Sequence, residues 1–200
     1  MSLLTIFNRL ALNVGIERAE QVASSTDREV REAISYSNLV GEELARRVDF
    51  GALRNQASMT GAGPGQRFDL GDDFSRIVPG IGVTFSGNPV RPLDRSEWMS
   101  LTPYPGAVRY FYLKGNQIEF WPYIRDGAEV KVTWQSKAWC SNGKSFWLAD
   151  DDTSLIDETL MVKGLIVRWR RQKGMDFADY EAEYEQSIAD IARFDDRSRI

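Results

Sequence analysis

The chain has 200 residues, 42% of them hydrophobic and 27% charged, with a formal net charge of -4. That size allows one good-sized domain, or a smaller one with a second inserted, and the acidic balance has the wrong sign for a protein that wraps nucleic acid. The sequence has no histidine and one cysteine, Cys140, which removes the usual general base, every Ser–His or Cys–His pair and any disulfide within the chain, and leaves Cys140 to read as a buried structural thiol.

Leu3, Phe7, Leu10 and Val14 recur at spacings of three and four, which predicts a short amphipathic helix ending near Gly15. It lacks the basic start of a signal peptide, and Asn8 and Arg9 interrupt it. No apolar run reaches the roughly 20 residues a membrane-spanning helix needs. Thr26-Asp27-Arg28-Glu29 fits a capping box and starts a second helix. Val30, Ile34, Leu44, Ala45 and Val48 form its apolar side, and it finishes around Asp49. Ser37, Asn38 and Gly41 mark either a bend or a close helix contact in its middle.

Composition changes after residue 54. Gly61-Ala62-Gly63-Pro64-Gly65 is a loop; Gln66 and Arg67 follow it where a phosphate-binding P-loop needs lysine and Ser or Thr. Short strands are predicted near Phe74 to Val78 and Gly82 to Ser86, then one or two helical turns over Arg95 to Leu101. Lys114-Gly115-Asn116 turns a hairpin between Ala107–Leu113 and Asn116–Trp121. Val130, Val132 and Trp134 alternate with polar neighbours as a half-buried strand does. The tryptophans and tyrosines crowded here read as sheet core plus subunit interface, although exposed rings would stack sugars or bases.

Helical spacing returns after Asp150, with Leu155, Thr159, Val162, Ile166 and Trp169 on one face. Asp150, Asp151 and Asp152 read as a helix-start cluster rather than a cation site, and Arg168, Arg170, Arg171 and Lys173 complement the dipole at the other end. Gly174 suits the C-terminal cap. A last helix puts Phe177, Tyr180, Tyr184, Ile188 and Ile191 on one stripe and Asp179, Glu181, Glu183 and Glu185 on its polar side. These acids read as a solvated or ion-paired face. The basic cluster is expected to pair with an acidic neighbour, in the same chain or in another subunit. A glycoside-hydrolase pair of acids and a carbohydrate-binding module built on the aromatic segment are the rival readings.

The fold class that follows is α+β. Two N-terminal and two C-terminal helices make a bundle over residues 1–54 and 148–194, an antiparallel β-sheet or sandwich is inserted over 55–147, and 195–200 form a tail. No catalytic residue, metal site or cofactor is called for.

Four features together resemble the head-to-tail adaptor proteins of tailed bacteriophages, also called head completion or connector proteins. They are the N-terminal helix pair; Phe68-Asp69-Leu70-Gly71-Asp72-Asp73-Phe74-Ser75-Arg76, with Gly71 where proline is more usual; the Lys114–Ile118 hairpin with Trp121-Pro122; and the ending, with Asp150 to Asp152, Ile156, the basic helix end from Trp169 to Gly174, and Tyr180-Glu181 and Tyr184. The resemblance implies a structural protein and not an enzyme. Twelve copies would form a ring beneath the portal, contacting the portal protein and a tail tube, nozzle or stopper protein. DNA would pass through the lumen without sequence-specific binding. It further implies a virion location at the head–tail interface after synthesis in the bacterial cytoplasm. Phe194, Asp195, Asp196, Arg197, Ser198, Arg199 and Ile200 would dock into the portal. Arg168, Arg170, Arg171, Lys173, Asp179, Glu181, Glu183 and Glu185 would contact neighbouring subunits.

Overall fold

The computed structural model describes residues 2–102, 104 and 106–197, with side chains described as far as Arg193. It is an α+β protein whose chain divides into two compact units, residues 1–53 with 137–200, and residues 54–136. Residues 137–147, read from composition as part of the β segment, therefore belong with the helices.

In the helical unit, α1 (Leu3–Val14) is capped by the Ser2 hydroxyl and closed by Gly15 at φ 75°. Helix α2 (Arg28–Arg47) is capped by Asp27, whose carboxylate accepts from the amides of Glu29 and Val30. The expected Thr26 cap is thus one residue early: a carboxylate beside the free amides at a helix start binds them more strongly than a hydroxyl does. Helix α4 (Glu158–Gln172) packs against α1, α2 and α5 (Ala178–Arg197). Three neighbours explain its unusually wide apolar surface, with Leu160, Met161, Val162, Leu165, Ile166, Val167 and Trp169 all buried.

The acidic triplet does not start α4. Asp157 caps it, accepting from the Leu160 amide. Asp150, Asp151 and Asp152 lie instead in the strap 137–157 that precedes the helix. One Asp150 oxygen accepts from Val22 and Ala23 at 2.8 and 2.7 Å. One Asp152 oxygen accepts from Leu148, Ala149 and the Asn142 carboxamide at 2.6, 2.9 and 2.7 Å. The backbone carbonyls of the same two residues take the Leu4 and Leu3 amides, two of the donors that a helix start leaves without an internal partner. Charge density at 150–152 signals a hub of backbone acceptors, and sequence spacing alone does not distinguish that from a helix start.

The strap also delivers Trp139 and Trp147 to the core, edge to face at 4.7 Å. Trp139 lies on Gly41 of α2, and the Trp147 indole donates to the Ser37 hydroxyl at 2.9 Å. The small residues in α2, read from sequence as a bend or a close helix contact, thus receive the tryptophans of the strap. Cys140 is buried as expected, and burial pushes its thiol above the ordinary range.

Among the described residues, the β unit holds two sheets. In one, β9 (Glu129–Ser136) is central, pairing with β1 (Arg54–Thr60) on one side and with β3 (Phe74–Ile77) and β4 (Val83–Phe85) on the other; β5 (Asn88–Pro89) extends β4. The other runs β2 (Phe68–Asp69), β8 (Gln117–Trp121), β7 (Tyr110–Lys114), β6 (Arg91–Pro92). Its β6–β7 pair is parallel, a departure from the all-antiparallel expectation. One core cluster draws on both sheets, with Val83, Val130 and Val132 from the first and Phe111, Ile118 and Phe120 from the second. The β7–β8 hairpin turns at Gly115, φ 63°, as its sequence predicts.

Candidate functional site

The charged residues of α4 and α5 are the first candidates, and the structure pairs most of them within the chain. Arg168 donates to Glu43 of α2 at 2.9 Å. Lys173 reaches Glu32 of α2 at 2.6 Å and lies over the Trp169 ring at 4.7 Å. Arg170 donates to the Asp176 carbonyl at 2.9 Å and stacks on Tyr180 at 4.2 Å. Arg171 pairs with Glu181 and lies over Phe177 at 4.7 Å. On the acidic side, Lys163 reaches Glu183 at 2.7 Å, and Arg47 of α2 grips both oxygens of Glu185 at 2.9 and 2.6 Å. Asp179 is exposed in the first turn of α5, where its charge suits the helix dipole.

The basic end of α4 thus builds the α4–α5 corner. Gly174 at φ 68° reverses the chain, and the Met175 amide returns to the Arg170 carbonyl at 2.9 Å. The cations then clamp the following segment by charge and by ring faces. Exposed pairs of this kind contribute little singly. Arg47, however, bridges Glu43 and Glu185, and Glu43 also holds Arg168, so three helices share one network.

Beneath it lies Tyr184, 4% exposed, its hydroxyl without a hydrogen-bond partner among the described residues. Burial pushes that phenol upward, and the nearby Glu43 carboxylate adds to the shift. A cavity of about 160 Å³ adjoins it, lined by Glu43, Arg168, Glu181 and Glu185 among others.

This geometry bears on acid catalysis. A glycoside hydrolase needs one carboxyl kept protonated near neutral pH by a pKa raised above the ordinary range. Glu185 moves the other way: the hydrogen bonds from Arg47 hold it below the ordinary carboxylate value, against a smaller opposing effect of burial. Glu181 is tied to Arg171. Both acids serve as acceptors for arginine.

Among the described residues, no group of three or more His, Cys, Asp or Glu is placed to hold a metal ion. Among them, too, no helix is long and apolar enough to cross a membrane. The expected docking segment Phe194–Ile200 lies outside the described side chains; the backbone of α5 continues to Arg197.

Sequence reading missed the strap. Nothing in its spacing is periodic, and its three aromatic residues (Trp139, Phe146, Trp147) merge with the aromatic β segment upstream. The one available signal was small residues in α2, Ser37 and Gly41, which imply a bulky partner elsewhere in the chain.

No curated protein matches the chain. The model of the SU10 adaptor protein family matches residues 1–200. The chain belongs to that family, and is a structural phage adaptor protein, a component of the virion.

Proposed function

We propose that the protein assembles as a ring beneath the portal, joins capsid to tail and forms part of the DNA channel. The family match over the full 200 residues carries this reading. The residue chemistry supports it: a ring uses heterologous contacts, one patch meeting a different patch on the next copy. The basic end of α4 (Arg168, Arg170, Arg171, Lys173) and the acidic side of α5 (Asp179, Glu181, Glu183, Glu185) are the subunit contacts in this proposal. Intrachain pairs hold all of these except Asp179 in fixed geometry, which favours register and specificity over raw affinity. A net charge of -4 also suits a lumen that must release DNA, since tight phosphate contacts would retain it. Twelve copies, a tail tube, nozzle or stopper protein on the far side, and docking of Phe194–Ile200 into the portal complete the assignment.

Negative-stain imaging of portal particles with and without this protein tests it. The proposal expects extra ring density on one face of the portal, lost when residues 194–200 are removed. Portal particles that look the same in both samples would refute it.

A further inference from the structure

We propose that the β unit carries a saccharide-binding cleft. It is a cavity of about 130 Å³ between the Gly63–Gly65 loop, α3 (Arg95–Met99) and the end of β8, walled by Trp98, Trp121 and Tyr123 with Glu119 among its lining residues. None of this is needed for the ring assignment, and the proposal stands independently of it.

The two indoles are held by neighbouring groups. Trp98 stacks on Tyr112 with centroids 5.4 Å apart and planes 19° from parallel. The Trp121 indole donates to the Thr102 carbonyl at 3.0 Å and meets Tyr104 in a T-shaped pair with centroids 5.0 Å apart. Helix α3 is itself fixed by a full capping box at Asp94 and Glu97. The Gly61–Gly65 loop is tied by Gln66, which accepts from the Ala62 amide and donates to the Thr60 carbonyl. Aromatic faces set in advance lose little entropy when a ligand stacks on them.

The polar group decides the ligand class. Arg67 donates to Glu119 at 2.8 Å. That neutralises the carboxylate and removes most of its pull on a cationic side chain. A carboxylate has about four acceptor sites, so one arginine contact leaves capacity for hydroxyl donors. A purely apolar plug would cover those lone pairs without satisfying them, which is costly. A nucleotide would stack, but single-strand sites add a basic groove for the phosphates, and among the described residues no arginine or lysine lines this cleft. A neutral polyol with one apolar face meets all the conditions: its C–H face on the indoles and its rim hydroxyls on Glu119.

The cavity is well below the roughly 300–1,000 Å³ of a drug-sized site, so it holds one sugar ring of a longer chain. Few contacts imply a dissociation constant on the order of millimolar.

The test uses the full chain, without portal, titrated with glucose, galactose, mannose, N-acetylglucosamine and their disaccharides. Tryptophan fluorescence and saturation-transfer NMR are the readouts, with arginine amide as a cationic control. We expect saturable binding of at least one sugar, weakened tenfold or more in Trp98→Ala and in Glu119→Gln. Glu119→Gln removes the charge and keeps the shape, so it remains informative if Trp98→Ala folds poorly. The proposal fails if no sugar saturates, if Glu119→Gln binds as tightly as the parent, or if arginine amide alone saturates.

Discussion

Replacing Gly41 by alanine sets two known effects against each other. In an exposed helix interior the change stabilises by about 1 kcal/mol, because glycine is the poorer helix former. At Gly41 the added methyl would meet the Trp139 ring, with Cδ2 and Cζ2 at 2.6 Å and Cε2 closer still. That is about 1 Å inside ordinary carbon–carbon contact. The ring has nowhere to go: Trp139 is 0% exposed and Trp147 stands edge-on against it at 4.7 Å. Overpacking of this kind costs about 1–3 kcal/mol, and a rigid, fully enclosed ring belongs at the upper end. The net is a loss of about 2 kcal/mol, or a fall in Tm of about 4–8 °C for a chain of this length. Differential scanning calorimetry measures it, with near-UV circular dichroism reporting the tryptophan environment. A Tm that rises by a few degrees would mean that the strap does not press on α2, and the account of residues 137–157 as core would be wrong.

Three further outcomes follow from the same geometry. Tyr184→Phe removes a buried hydroxyl that has no partner among the described residues, so Tm should stay level or rise, by up to about 1 kcal/mol of stability; a clear fall would show that the hydroxyl is satisfied by water in the adjoining cavity. Asp152→Asn loses an acceptor shared by three donors and should cost about 1–2 kcal/mol near neutral pH. Burial opposes ionisation of Asp152, but the amides of Leu148 and Ala149 with Asn142 outweigh it and lower the folded pKa below the ordinary 3.8. Stability from this group is therefore present above about pH 3.8 and lost as pH falls below it, so parent and Asp152→Asn should converge in acid denaturation scans; a gap independent of pH would contradict the assignment.

The helices were legible because their periodicity is carried by the residues that pack. Leu3, Phe7 and Leu10 are buried as their spacing implies, and Leu160 to Trp169 announce a helix enclosed on several sides. The β7–β8 hairpin was legible from Gly115 and the alternation of Ile118 and Phe120. Strand β1 was not, because Arg54–Thr60 is polar and exposes most of its side chains; its strand state comes from pairing with β9 from Glu129 to Gln135. The charged residues at the α4–α5 corner were visible as a set, but their partners Glu32, Glu43 and Arg47 lie over a hundred positions away, on α2. Sequence gives the charges; only packing of α2 on α4 and α5 on α4 gives the pairs. The acidic triplet misled for a related reason. Carboxylates cap helix starts and loop amides by the same hydrogen bonds, and the distinction rests on which amides the fold brings near.

The central claim, a ring-forming adaptor on the portal, is tested most directly by mass photometry of the purified protein mixed with portal particles. The account predicts that the portal gains mass equal to a fixed whole number of adaptor chains, saturating as the adaptor is added. A portal whose mass never changes, with the adaptor remaining as free single chains at every ratio, would contradict it.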